Sequence, residues 1–151
     1  MPQTSVPAKG PSRIRATWAG DHRFDAGRPG GPTARIDASG KEGQSPVDAL
    51  LTALATCTAV DVVDILAKRR TPAEYLSVDV TGERAAAVPA RIVRLLVAYT
   101  IDGPGIDRQS AERAIDLALT KYCSVRASLD PTIPIDFTLT LNGATVEERV
   151  D

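Results

Sequence analysis

The chain is poor in the side chains from which most active sites are built. Of its 151 residues one is histidine, two are cysteine, one is tryptophan, and only 4% are aromatic. The lone histidine, His22, sits in a turn-like Ala19-Gly20-Asp21-His22 run, which argues against a Ser-His or Cys-His catalytic pair and for a surface turn residue. No cluster has metal-ligand spacing, so no metal is expected. The glycines of Gly27–Gly31 lack the strand-to-helix context of a phosphate-binding loop, so no cofactor is expected either. With a formal charge of −1 and so few aromatic rings, neither phosphate neutralisation nor base stacking is available, and nucleic acid is excluded as a partner. The longest apolar stretch, Ala49–Ala67, is interrupted by Thr52, Thr56, Thr58, Asp61 and Asp64, which reads as a buried helix and not a membrane span. The N-terminus has no apolar run of the signal-peptide kind, so a cytoplasmic location is expected. In that compartment a structural disulfide is not expected, but a transient catalytic one is allowed.

What is present orders into one α+β domain. Residues 1–11 read as a flexible tail, residues 12–142 as a single domain, and residues 143–151 as a polar tail. From Ser12 to Ala38 the pattern is a β meander, in which Ile14, Ala16 and Trp18 alternate and a Gly/Pro-rich loop follows Gly27. Ser45, Pro46 and Asp48 form a helix start, with Ser45 and Asp48 as a capping box. That helix runs to about Lys68 and stops before Pro72. Apolar residues cover most of its circumference, which calls for cover from a second subunit. Two strands follow, around Leu76–Val80 and Arg91–Ile101. Asp107 can cap a second helix with an apolar stripe of Ala111, Ala114, Ile115, Ala118, Leu119 and Tyr122. A short helix over Ser124–Leu129 and a final strand alternating from Ile133 to Leu141 complete the domain.

The two cysteines lie far apart in sequence, each in a helical setting. Brought together they form a redox couple; kept apart, Cys57 is a small core residue. Walled by Ala53, Leu54 and Val60, Cys57 should ionise less readily unless a cation stands near. Cys123, near the start of the short helix, should have its thiolate favoured by the helix dipole.

The run Ser45-Pro46-x-x-x-Leu50-Leu51, then Ala53-Leu54-Ala55-Thr56-Cys57-Thr58-Ala59, closely resembles the central helix of the OsmC/Ohr superfamily. Lys121-Tyr122-Cys123-Ser124-Val125 resembles the second cysteine segment of its OsmC-like branch. The resemblance, which covers roughly Ser12 to Leu141, implies an intertwined homodimer and a thiol-dependent peroxidase acting on an organic hydroperoxide or H2O2. It implies Cys57 as the peroxidatic cysteine, oxidised to a sulfenic acid, and Cys123 as the resolving cysteine, with a thiol reductant such as a dithiol closing the cycle. In the family an arginine activates the first cysteine and is held by a glutamate directly after the helix-opening proline. Here Val47 occupies that position, leaving Asp48 as capping residue or arginine anchor, and the arginine as Arg23 or Arg35. Thr120 and Ser124 replace the His-x-x-Cys-Pro pattern of the best-known members. These departures open a second reading, a non-enzymatic small-molecule binding or redox-sensing module on the same fold.

Overall fold

The computed structural model describes residues 6–150, with side chains to residue 145. Of the tail expected over 1–11, residues 1–5 lie outside the described residues, and 6–11 run without regular structure. The chain divides into two compact units, 1–49 and 50–151, where the sequence led to one domain over 12–142. The reason lies in the hydrogen bonding, since two separate sheets form, one in each unit.

In the first unit, β1 (Arg15–Trp18), β2 (Arg23–Gly27) and β3 (Ala34–Asp37) make an antiparallel meander in that order. Gly20 and Asp21 both take positive φ in the β1–β2 turn, a backbone that glycine adopts without steric cost. Gly27 is required for another reason: a Cβ there would stand 2.2 Å from the Pro32 carbonyl oxygen. Among the described residues of this unit only Asp37 is buried, while Ile14, Trp18 and Phe24 are exposed. Asp37 organises the loop after β3, accepting from the Ser39 amide at 2.9 Å, the Ser39 hydroxyl at 2.6 Å and the Glu42 amide at 3.0 Å. These bonds, the Ser39 hydroxyl foremost, lower its pKa to about 2. The expected capping box is formed: Asp48 N–H donates to Ser45 Oγ at 3.1 Å, and Ser45 N–H to the Asp48 carboxylate at 3.3 Å.

The long helix α1 (Pro46–Lys68) begins here and runs on through the second unit. Its Leu54, Thr58, Val62 and Leu66, four residues apart, are the fully buried face, and Leu50, Val60 and Val63 on other faces are exposed in the single chain. The second unit continues with β4 (Tyr75–Arg84), β5 (Ile92–Asp102), α2 (Arg108–Leu117), a π-helical turn (Ala118–Tyr122), α3 (Ser124–Ala127), β6 (Ile135–Leu141) and β7 (Ala144–Val150). Sheet order is β4-β5-β6-β7, antiparallel except for the parallel β5–β6 pair that the helical crossover joins. Strand alternation delivers Leu95, Val97, Tyr99 and Ile101 of β5 and Ile135, Phe137, Leu139 and Leu141 of β6 to the core. Asp107 caps α2, accepting from the Ser110 amide at 2.9 Å.

Two expectations need correction. Residues 143–151 are not a polar tail, because the Asn142-Gly143 turn, with both residues at positive φ, returns the chain as β7 against β6. The apolar stripe of the second helix does not end on Tyr122. The π turn adds a residue to the winding, with Cys123 N–H bonded to Ala118 C=O five residues back at 2.9 Å. The buried position therefore passes from Tyr122, 50% exposed, to Cys123, 3% exposed.

The Asp37 knot yields a test. A carboxylate with a depressed folded-state pKa contributes stability above its unfolded value of 3.8, and that contribution is lost as pH falls toward 2. Protection of the Ser39 and Glu42 amides from hydrogen exchange should fall over that window, and Asp37→Asn should lower it already at neutral pH.

Candidate functional site

The two cysteines meet in the second unit. Cys57 lies half-buried on α1, one residue before the buried Thr58, and packs against the core. The π turn carries Cys123 inward, where its side chain comes close enough to that of Cys57 for the two to interact. Both are free thiols in this structure. Cys123 also caps α3, its Sγ accepting from the Arg126 amide at 3.3 Å.

Their electrostatics separate their roles. Burial pushes the Cys123 thiol from 9.0 up to about 11; the Arg126 N–H opposes this, and the neighbouring Cys57 adds to it. The expectation that the helix dipole favours a Cys123 thiolate is thus corrected. The helix after it has only four residues, and desolvation outweighs what its terminus supplies.

Around the pair, the Tyr99 hydroxyl of β5 donates to Thr58 Oγ1 at 2.9 Å, and that hydroxyl donates onward to Ala55 C=O at 3.1 Å. Burial holds Tyr99 in its neutral form, and negative charge at Cys123 and Asp61 pushes the same way. Asp61, one helical turn beyond Cys57, has a buried Oδ2 with no hydrogen-bond partner among the described residues. Burial first, and Asp64 second, raise its pKa, the direction that lessens its repulsion of a thiolate.

Beside Cys123 the second unit opens into a cavity of about 870 Å³. Three cations line it, Arg94, Lys121 and Arg126, together with one carboxylate, Asp136, which forms an ion pair with Arg94. Cys123 belongs to its wall.

The candidate arginines belong to the first unit. Arg35 is held by Asp25 through Nε at 2.7 Å and Nη2 at 3.3 Å. Arg23 donates to Glu42 at 2.9 Å, and Asp21 stands 3.7 Å from it; Glu42 also lies 3.7 Å from Arg35. The Nε of Arg23 is buried without a partner among the described residues. Asp48 has no arginine within ion-pair distance among the described residues: its carboxylate is engaged by the Ser45 amide, and Glu42 holds Arg23. Glu42 gave no signal in sequence, since it lies outside the helix-opening motif in an irregular loop that only Asp37 shapes. Arg126 was equally hidden among basic residues, though its place three positions after Cys123 is the spacing of an amide bonding a capping side chain.

The buried Cys123 thiol predicts an alkaline instability. A group whose folded pKa is raised contributes its full stability below the unfolded value, near 9, and loses it as pH rises through about 11. Relative to Cys123→Ala, the chain should lose about 2–3 kcal/mol across that window, measured by urea unfolding at stepped pH.

Comparison with known proteins places this arrangement. The family model described as OsmC-like protein matches residues 38–138. Protein YhfA of Escherichia coli K12 is 33% identical over 97 residues, which are 64% of this chain and 72% of that protein. An OsmC-like protein from Mycoplasma pneumoniae superposes with a TM-score of 0.76 at 20% identity, over 89% of this chain and 99% of the other. The organic hydroperoxide resistance protein OhrB of Bacillus subtilis shares the fold at a TM-score of 0.55 and 14% identity, over 86% of this chain and 96% of that one. Because the family model spans well over half of its length, this chain belongs to the OsmC-like protein family.

Proposed function

We propose that the protein is a thiol-dependent peroxidase that reduces an organic hydroperoxide or H2O2 with Cys57 as peroxidatic and Cys123 as resolving cysteine. The observation that carries this reading is that the two free thiols lie side by side in one core cluster, with Cys123 held neutral by its burial. The Cys57 thiolate attacks the peroxide, the O–O bond breaks, and the alcohol or water leaves with a proton, giving a sulfenic acid. Cys123 then attacks that sulfur, water departs, and a disulfide forms. Two electrons have passed from the thiols to the peroxide, and a dithiol or other thiol returns them. Keeping Cys123 neutral until Cys57 is oxidised suits a resolving thiol, because the buried neutral form adds no repulsion to a neighbouring thiolate. The name of the Bacillus subtilis relative, an organic hydroperoxide resistance protein, fits this chemistry on the same fold.

The positive charge that the Cys57 thiolate requires is assigned to Arg23 in preference to Arg35. Arg35 is engaged by Asp25 on two nitrogens, whereas Arg23 retains a donor, Nε, without a partner. Glu42 takes the place of Asp48 as anchor. A homodimer belongs to this reading: Leu50, Val60 and Val63 on α1 and Trp18 and Phe24 on the meander are apolar side chains exposed to water in a single chain. So does a cytoplasmic location, where thiol reductants are available.

Mild organic hydroperoxide should remove two titratable thiols from the protein. Cys57→Ser should abolish peroxide consumption, and Cys123→Ser should leave a sulfenic acid that a dimedone probe traps. Arg23→Gln should slow the alkylation of Cys57 by iodoacetamide at neutral pH, and Arg35→Gln should slow it less. Equal thiol counts before and after peroxide would overturn the peroxidase reading in favour of the binding or sensing module, which Val47, Thr120 and Ser124 motivate.

A further inference from the structure

The cavity beside Cys123 has a charge pattern that the peroxide reaction does not use. Of its three cations, Arg94 is neutralised by Asp136. Arg126 donates to the carbonyl oxygens of Asp130 at 3.0 Å, Pro131 at 3.4 Å and Ile133 at 3.1 Å, partners that fix the guanidinium without neutralising it. The Asp130 carboxylate feels that charge, but its own bonds go to the Thr132 amide and hydroxyl, with Arg91 at 3.8 Å. Lys121 sets its ammonium 5.4 Å from the Tyr122 ring centre, a contact that again brings no compensating charge. Among the described residues no carboxylate lies within ion-pair distance of Lys121 or Arg126. The cavity wall thus keeps two unneutralised positive charges next to one sulfur of the pair. Only Cys123 of the two cysteines lines it.

We propose that this cavity admits the reductant, a low-molecular-weight thiol bearing carboxylate groups, which Lys121 and Arg126 recognise and direct onto the Cys123 sulfur. The inference rests on the Cys57–Cys123 disulfide of the proposed function and goes on to name the chemistry of the partner that reopens it. The thiolate attacks Cys123 Sγ, the Cys57–Cys123 bond breaks, and Cys57 leaves with the electron pair as a thiolate. A second molecule of the thiol attacks the mixed disulfide at the reductant's own sulfur and releases Cys123, which takes up a proton. Two thiols are oxidised to one disulfide, and the protein disulfide is reduced by two electrons. Attack from this side frees Cys57 in the first step, so the peroxidatic cysteine is ready before the resolving one is released. A small molecule is favoured over a protein thiol because Cys123 is only 3% exposed and is approached through a cavity of about 870 Å³, within the usual range for small-ligand sites.

The test closes the disulfide with diamide, so that it does not depend on peroxide turnover. Reduction is then timed with mercaptopropionate, mercaptoethanol and cysteamine, which carry negative, no and positive charge. Each rate is divided by that thiol's rate against a small neutral disulfide. We expect mercaptopropionate to exceed cysteamine by about tenfold, with most of that preference lost at high salt and in Lys121→Gln. Trapping of the first intermediate should find the mixed disulfide on Cys123. Arg126→Gln should act in the same direction; as it also frees three carbonyl groups, Lys121→Gln is the deciding variant. Equal normalised rates, a preference for cysteamine, a preference that Lys121→Gln leaves unchanged, or a mixed disulfide on Cys57 would each overturn the proposal. So would failure of diamide to close the bond. A chain that diamide closes and mercaptopropionate reopens fastest, yet that ignores hydroperoxide, would keep the cavity assignment and refute the peroxidase.

Discussion

The hydrogen bond from Tyr99 to Thr58 fixes the rotation of α1 against the sheet, and the geometry of the thiol pair follows from that rotation. Both residues are buried to 1% exposure or less, and the bond joins the middle of the long helix to the middle of β5. A helix apolar on most sides has no strong preference for which side it buries, since Leu or Val contacts are available at many angles. A single polar pair in the core removes that freedom, because any other rotation leaves a hydroxyl buried without a partner. Thr58 follows Cys57 directly, so locking one sets the direction of the other.

The second contribution comes from the π turn after α2. One extra residue in the winding replaces the outward Tyr122 with the inward Cys123 and ends the helix at that point. The cysteine's sulfur then caps α3 through the Arg126 amide while lying beside Cys57. Burial keeps its proton in place. Two chemically identical residues thereby stand in different settings, one at the half-buried surface of α1 and the other a neutral thiol in the core.

Charge is arranged separately in each unit. In the first, Asp37 spends its carboxylate on backbone and hydroxyl donors of one loop, and the loop in turn presents Glu42 to Arg23. Arg23 is thus held by a loop carboxylate and not by the residue that follows Pro46, which is Val47. In the second, Arg94 is neutralised, while Lys121 and Arg126 keep their charge beside Cys123. Asp61, four residues after Cys57, is disfavoured as an anion by its own burial.

The sequence by itself determined the local elements, because each is governed by short-range chemistry. The capping box of Ser45 and Asp48, the Asp107 cap, and the alternation of β5 and β6 depend on residues a few positions apart, and all were legible. The family was legible from the motifs around Cys57 and Cys123. Tertiary structure decided the rest. The π turn was invisible because Ala118–Tyr122 has an ordinary helical composition, and the extra residue is accommodated only when Cys123 finds a place in the core. Residues 144–150 read as polar, but a strand there needs only β6 to pair with, and pairing is a property of the neighbour. Which carboxylate holds Arg23 depends on a strand residue meeting a loop residue 19 positions away, and no local pattern encodes that.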